Sequence, residues 1–201
     1  MTNCTRHLLC CCALEEETFR LYQRVAGKMN NPELRSLVIN IAYDSLKHSK
    51  TIMELLKTVE KSEINIKKCG KHWSELWKEI VEVSDTIFKM QNVNDDEFCE
   101  IFKGLAELEE RLIESYCLLL ELKIPKRLAN ELNELTPMNL DDLDKIFDGI
   151  IEDKQRHKET LIEIGYCFAY RDSTGATDTA PPVRYQNPDA WHREQIAQSQ
   201  F

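Results

Sequence analysis

The sequence predicts an all-α protein: an antiparallel four-helix bundle made of two similar helical hairpins, with a crossover helix and an extended C-terminal tail. Three observations carry this. Apolar residues recur at alternating three- and four-residue intervals through four long segments, the spacing that keeps them on one helix face. Helix breakers are scarce, with 6 Gly and 6 Pro in 201 residues. Two stretches near the centres of the segments resemble two others later in the chain.

The first helix is expected over about residues 5–29. Asn30-Asn31-Pro32 then makes a short turn, with Asn31 as N-cap and Pro32 at the first helical position, where its missing N–H costs nothing. The second helix runs to about Glu60. Residues 71–91 place Trp73, Leu76, Trp77, Ile80, Ile87 and Phe88 at helical spacing and form the crossover. The third helix starts after Asn94, with Asp95, Asp96 and Glu97 suited to the positive end of the helix dipole, and ends before Pro125. A short helix is expected over 126–134. The fourth starts after Asn139 and runs to about Phe168.

From residue 171 the composition changes. Leu, Lys and Cys vanish, and three of the six prolines lie in this stretch. The chain therefore divides into a helical domain, 1–170, and a tail, 171–201, that is extended or disordered. Tyr185, Trp191, Ile196 and Phe201 are candidate anchors of that tail on a protein partner.

Composition excludes several classes. The net charge of -9 argues against a nucleic-acid partner and against an anionic membrane surface. No apolar run reaches the ~18 residues of a membrane span. The apolar run 8–14 is followed at once by Glu15-Glu16-Glu17, so it is not read as the core of a signal peptide. Eight cysteines in a long helical chain fit a reducing cytoplasm better than a disulfide framework, which belongs to short, loop-rich secreted domains. Of the adjacent Cys10, Cys11 and Cys12, Cys11 is expected in the core with its neighbours on the helix flanks. Cys69-x-x-His72 lacks the second pair of ligands that zinc needs. Lys61, Lys67, Lys68 and Lys71 read as a solvated loop. Neither a Gly-rich phosphate loop nor a serine-nucleophile motif occurs.

The polar interruptions of the apolar stripes carry the functional signal. The third helix reads Phe102, Leu105, Glu109, Leu112, Tyr116, Leu119. The fourth reads Leu143, Ile146, Ile150, Asp153 or Lys154, His157, Leu161, Ile164. The second reads Leu37, Ile41, Asp44 or Ser45, His48, Ile52, Leu55, and the first Cys11, Glu15, Thr18, Tyr22, Val25. Each stripe has an ionisable group near mid-helix. Glu15 and His48 are nearly equidistant from the turn at Asn31, so they share a level in the hairpin; Glu109 and His157 do so in the second hairpin. The segment Leu14-Glu15-Glu16 through Tyr22 parallels Leu108-Glu109-Glu110 through Tyr116, and Ile41 through His48 parallels Ile150 through His157.

At these residues the chain resembles the ferritin-like diiron-carboxylate superfamily, and within it the rubrerythrin-like branch, over about residues 5–168. That family presents one Glu from each of two helices and a Glu-x-x-His from each of the other two. The matching positions are Glu15, Glu109, His48 and His157. Where the family has bridging glutamates, this chain has Ser45 and Lys154. The resemblance implies iron, with O2 or peroxide as oxidant, held by Glu15, His48, Glu109 and His157, with Asp44 and Asp153 as extra ligands in place of the two missing glutamates. It also implies side-by-side homodimers. The Cys-x-x-Cys iron domain common in that branch is not found here. The alternative is a metal-free bundle in which Lys154 neutralises Glu109 or Glu15, used for assembly or interaction with the tail as docking segment. Lys154 turned into the bundle favours that alternative; Asp44 and Asp153 turned inward favour metal. Tyr22 and Tyr116 are expected beside the centre in either case.

Overall fold

The computed structural model describes residues 3–56, 71–124, 126 and 140–174. Among them there are five α-helices and no strand: α1 (Asn3–Lys28), α2 (Pro32–Leu56), α3 (Lys71–Lys89), α4 (Asp95–Glu121) and α5 (Leu140–Thr174). The all-α ferritin-like reading is therefore met. No described helix is long and apolar enough to cross a membrane. The expected short helix over 126–134 and most of the tail lie outside the described residues.

Helix starts follow local chemistry. The Asn31 side chain accepts hydrogen bonds from the backbone N–H of Glu33 (2.9 Å) and Leu34 (3.0 Å), which the first turn of α2 leaves unpaired. Asn94 and Glu97 form a reciprocal capping box at the start of α4. That helix stops at Leu122–Lys123, where Lys123 takes a positive φ of 53°. α5 runs past the expected stop at Phe168 and through 171–174. The composition shift there marks a change of residue types rather than of helix propensity, and the first breaker is Gly175.

Cross-chain contacts give the topology. Tyr22 meets Glu109 and Tyr116 meets Glu15, so α1 and α4 are antiparallel. His48 meets Asp153 and His157 meets Asp44, so α2 and α5 are antiparallel as well. With α1/α2 and α4/α5 as hairpins, α3 must carry the chain back along the bundle, parallel to α1. Trp73 accordingly bonds His7 at one end of α3, and Lys28 bonds the Met90 carbonyl at the other. α3 also reaches α4 through an Arg111–Glu79 ion pair.

The core follows the predicted stripes of α1 and α4 at every position. On α2 and α5 the phase is offset at several places. Leu37 is 42% exposed, and Val38 takes its place in the core, in phase with Ser45 and Ile52. On α5, Phe147 rather than Ile146 is fully buried, in phase with Lys154 and Leu161. On α3, Phe88 is 66% exposed and lies against the Arg24 guanidinium, while Ser84 and Ile87 face inward.

All three consecutive cysteines are buried, not Cys11 alone, because α1 is gripped by α2 on one side and α3 on another. Cys12 Sγ donates to the Ser49 carbonyl at 3.5 Å. Cys10 is disulfide-bonded, against the expectation of an all-reduced set.

Candidate functional site

Mid-bundle, four helices each bring polar side chains to one buried level. Glu15 and Tyr22 lie two turns apart on the inner face of α1, and Glu109 and Tyr116 do the same on α4, so each pair points the same way. α2 supplies Ser45 and His48; α5 supplies Lys154 and His157. All eight are at most 2% exposed.

Lys154 stands at the centre. Its Nζ lies 3.0 Å from Glu15 Oε1, 3.2 Å from Glu15 Oε2 and 3.4 Å from Glu109 Oε2. Each tyrosine crosses to the other hairpin: Tyr22 donates to Glu109 Oε1 at 2.5 Å, and Tyr116 donates to Glu15 Oε1 at 2.8 Å. One ammonium and two phenols thus hold the two glutamates.

The histidines form the next layer. His48 Nδ1 is 3.9 Å from Glu15 Oε2, and His157 Nδ1 is 4.0 Å from Glu109 Oε2, too far for hydrogen bonds. Both Nδ1 atoms are buried without a partner. The other ring nitrogen is engaged in each case: His48 Nε2 with Asp153 Oδ2 at 3.0 Å, His157 Nε2 with Asp44 Oδ2 at 3.1 Å. An ionised carboxylate can only accept, so Nε2 carries the proton and, in the neutral ring, Nδ1 is a bare lone pair turned toward the centre.

Asp44 and Asp153 therefore sit behind the histidines, not beside the central carboxylates. Their side chains are 28% and 17% exposed. Asp44 and Asp153 were expected as extra ligands in place of the two missing glutamates; the antiparallel α2/α5 pairing instead sets each acid against the histidine of the opposite hairpin. Lys47 bonds both acids at 2.8 Å, and Arg156 bonds Asp153 at 2.7 Å and Asp44 at 3.4 Å. Sequence reasoning missed this outer quartet. Its signal was present in the repeated Asp-x-x-Lys-His of 44–48 and Asp-x-x-Arg-His of 153–157.

The electrostatics follow from these contacts. Burial raises the Glu15 carboxyl, but the Lys154 ammonium beside it outweighs this and holds it at about 2. Burial pushes Lys154 down, and the two glutamates more than reverse this, so its ammonium is retained above its ordinary value. Burial, then the neighbouring Glu109 charge, drives the Tyr22 phenol well above its ordinary value; burial and Glu15 do the same to Tyr116. Both tyrosines stay protonated donors. Burial lowers His157, with Lys154 acting in the same direction against Glu109 and Asp44, which keeps the ring neutral. Asp44 and Asp153 are held below the usual carboxylate range: burial opposes this, but Lys47 and the histidine facing each acid outweigh it, joined at Asp153 by Arg156.

The donor set does not fit a pair of divalent ions. Two such ions need anionic ligands between them. Here a fixed ammonium occupies the space between the carboxylates, and the other bridging position is Ser45, whose buried Oγ has no partner. Among the described residues no group of three or more His, Cys, Asp or Glu side chains is arranged to hold a metal ion.

Comparison with known proteins adds one finding. The family model described as Rubrerythrin matches residues 7–117, more than half of the chain, taking in Glu15, His48 and Glu109 and stopping short of Lys154 and His157. No curated protein and no solved structure matches significantly.

Proposed function

Because the chain belongs to the rubrerythrin family and holds an ammonium between its two central carboxylates, we propose that it works without a metal centre, as a helical assembly or interaction module. The observation that carries this reading is the position of Lys154. A lone buried charge costs several kcal/mol, whereas a paired and hydrogen-bonded one roughly breaks even. The lysine compensates Glu15 and Glu109 at once, the task that cations perform in a diiron bundle. The two tyrosines complete the hydrogen bonding of the same carboxylates. The centre is then a structural charge cluster that joins the two hairpins.

The outer surface supports the second half of the proposal. Tyr43 and Tyr166 are more than half exposed on outer helix faces, and Leu118 and Leu122 lie exposed near the end of α4. Such residues are suited to contact with another protein. The reading includes a homodimer formed side by side and a protein partner for residues 171–201.

One observation favours a second reading, in which iron binds and reacts with O2 or peroxide: both histidines turn a bare Nδ1 toward the carboxylates. Elemental analysis after anaerobic iron loading separates the two. The metal-free reading expects no stoichiometric iron in the native chain, and gain of iron in Lys154→Glu. Stoichiometric iron in the native chain would overturn it.

A further inference from the structure

We propose that the groove between the C-terminal half of α3 and the first turns of α4 is a docking site for a basic amphipathic helix of a partner protein. This deepens the metal-free reading by naming the partner's chemistry, and it rests on that reading. The groove has a volume of about 500 Å³. Its floor is apolar, formed by Val83 and Ile87 from α3, Met90 just past its end and Ile101 from α4. Val83, Met90 and Ile101 are only partly buried, so the groove offers apolar area to an incoming side chain.

The rim decides the occupant. Every charged residue that lines the groove is acidic: Glu82 on α3, and Asp96, Glu97 and Glu100 on α4. Glu97 is committed to the α4 capping box. Glu82, Asp96 and Glu100 have no ion-pair partner among the described residues. An apolar trough between unpaired carboxylates is complementary to a helix with an apolar stripe flanked by Lys or Arg. It is not complementary to an acidic helix, to nucleic acid or to an anionic lipid surface, since the rim would repel each of these. The chain's own charge of -9 likewise makes a second copy, taken as a whole, a poor match.

The test is fluorescence anisotropy of a labelled synthetic amphipathic helix of Leu and Lys titrated with the full chain. A peptide of the same pattern with Glu for Lys is the control. The rim variant carries Glu82→Lys and Glu100→Lys. A remote variant, Glu152→Lys with Glu159→Lys, changes net charge equally at exposed positions of α5, a helix that contributes no residue to the groove. The Lys peptide is expected to bind the native chain and the remote variant alike, to bind the rim variant about tenfold more weakly, and to weaken with salt. The Glu peptide is expected not to bind. Equal weakening in both variants would show attraction to the overall charge and overturn the proposal, as would absence of binding to the native chain. Iron content is measured on the same native sample. Stoichiometric iron there refutes the metal-free reading, while the peptide titrations judge the groove by themselves.

Discussion

Replacing Lys154 with Met removes the central ammonium while keeping most of its volume. At 3.0 and 3.4 Å, an effective dielectric constant of about 20 puts each attraction near 5 kcal/mol before any desolvation is counted. Much of that is offset, because the variant no longer buries a lysine charge. The folded variant has a cheaper escape than holding two bare carboxylates: it binds a proton. At pH 7 this costs about 3.7 kcal/mol, from 1.36 kcal/mol for each of the ~2.7 pH units above an ordinary glutamate pKa. The expected loss is therefore about 4 kcal/mol at pH 7, in the range for breaking a buried pair, or a melting temperature lower by roughly 7–15 °C for a domain this size. At pH 5 the same proton costs only about 1 kcal/mol, so the gap between native and variant should narrow by about 3 kcal/mol. The native chain behaves oppositely in acid. Its Glu15 is held at about 2, so that stabilisation is complete above pH ~4.5 and is lost as pH falls from there toward 2. Urea unfolding of both chains at several pH values reads this directly. An equal loss at pH 5 and pH 7, or no loss at all, would refute the placement of the lysine between the glutamates. The triple change Glu15→Gln, Glu109→Gln, Lys154→Met should recover much of the stability, since it leaves no buried charge behind.

Three other outcomes follow from the same geometry. Asp153→Ala removes the acceptor for His48 Nε2 and should cost about 1 kcal/mol, the exposed ion pairs adding little; nitrogen NMR of the imidazoles should show a single Nε2–H form of His48 in the native chain and a mixture in the variant. Burial lowers the His157 pKa, so as pH falls through 6.5 the unfolded chain binds a proton that the folded ring refuses, and stability declines; unfolding measured from pH 8 to pH 5 should be flatter in His157→Gln. Burial pushes the Cys12 thiol up to about 12 and raises Cys11 still more clearly, so iodoacetamide near pH ~8 should leave both unmodified in the folded chain while the less buried Cys99 and Cys117 react, as read by mass spectrometry.

The helices and their polar centre were legible because periodicity is a local signal. Glu109 interrupts an otherwise regular three-four spacing on α4, and burial confirms every member of that stripe. On α2 and α5 two neighbouring polar residues competed for one core position. The apolar residues Leu37 and Ile146, seven before Asp44 and Asp153, pulled the stripe toward those alternatives. Val38 and Phe147, in strict phase with Ser45 and Lys154, would have resolved both choices. The crossed Asp–His pairs were less legible, since they depend on which helices are adjacent and antiparallel. The groove between α3 and α4 was not legible at all: a hydrophobic stripe says which residues turn inward, not how closely two helix ends approach.

The two halves of the centre are unequal, with Ser45 at one position of the repeat and Lys154 at the other. This makes the centre difficult to rebuild one substitution at a time. Changing Lys154 alone to Glu sets three acids together with no cation, and changing Ser45 alone to Glu adds an acid to a cluster whose single ammonium already serves two. Each intermediate is charged, buried and unstable unless a metal arrives with the mutation. A lineage that acquires the lysine has therefore passed through a gate that opens more easily in one direction than in the other.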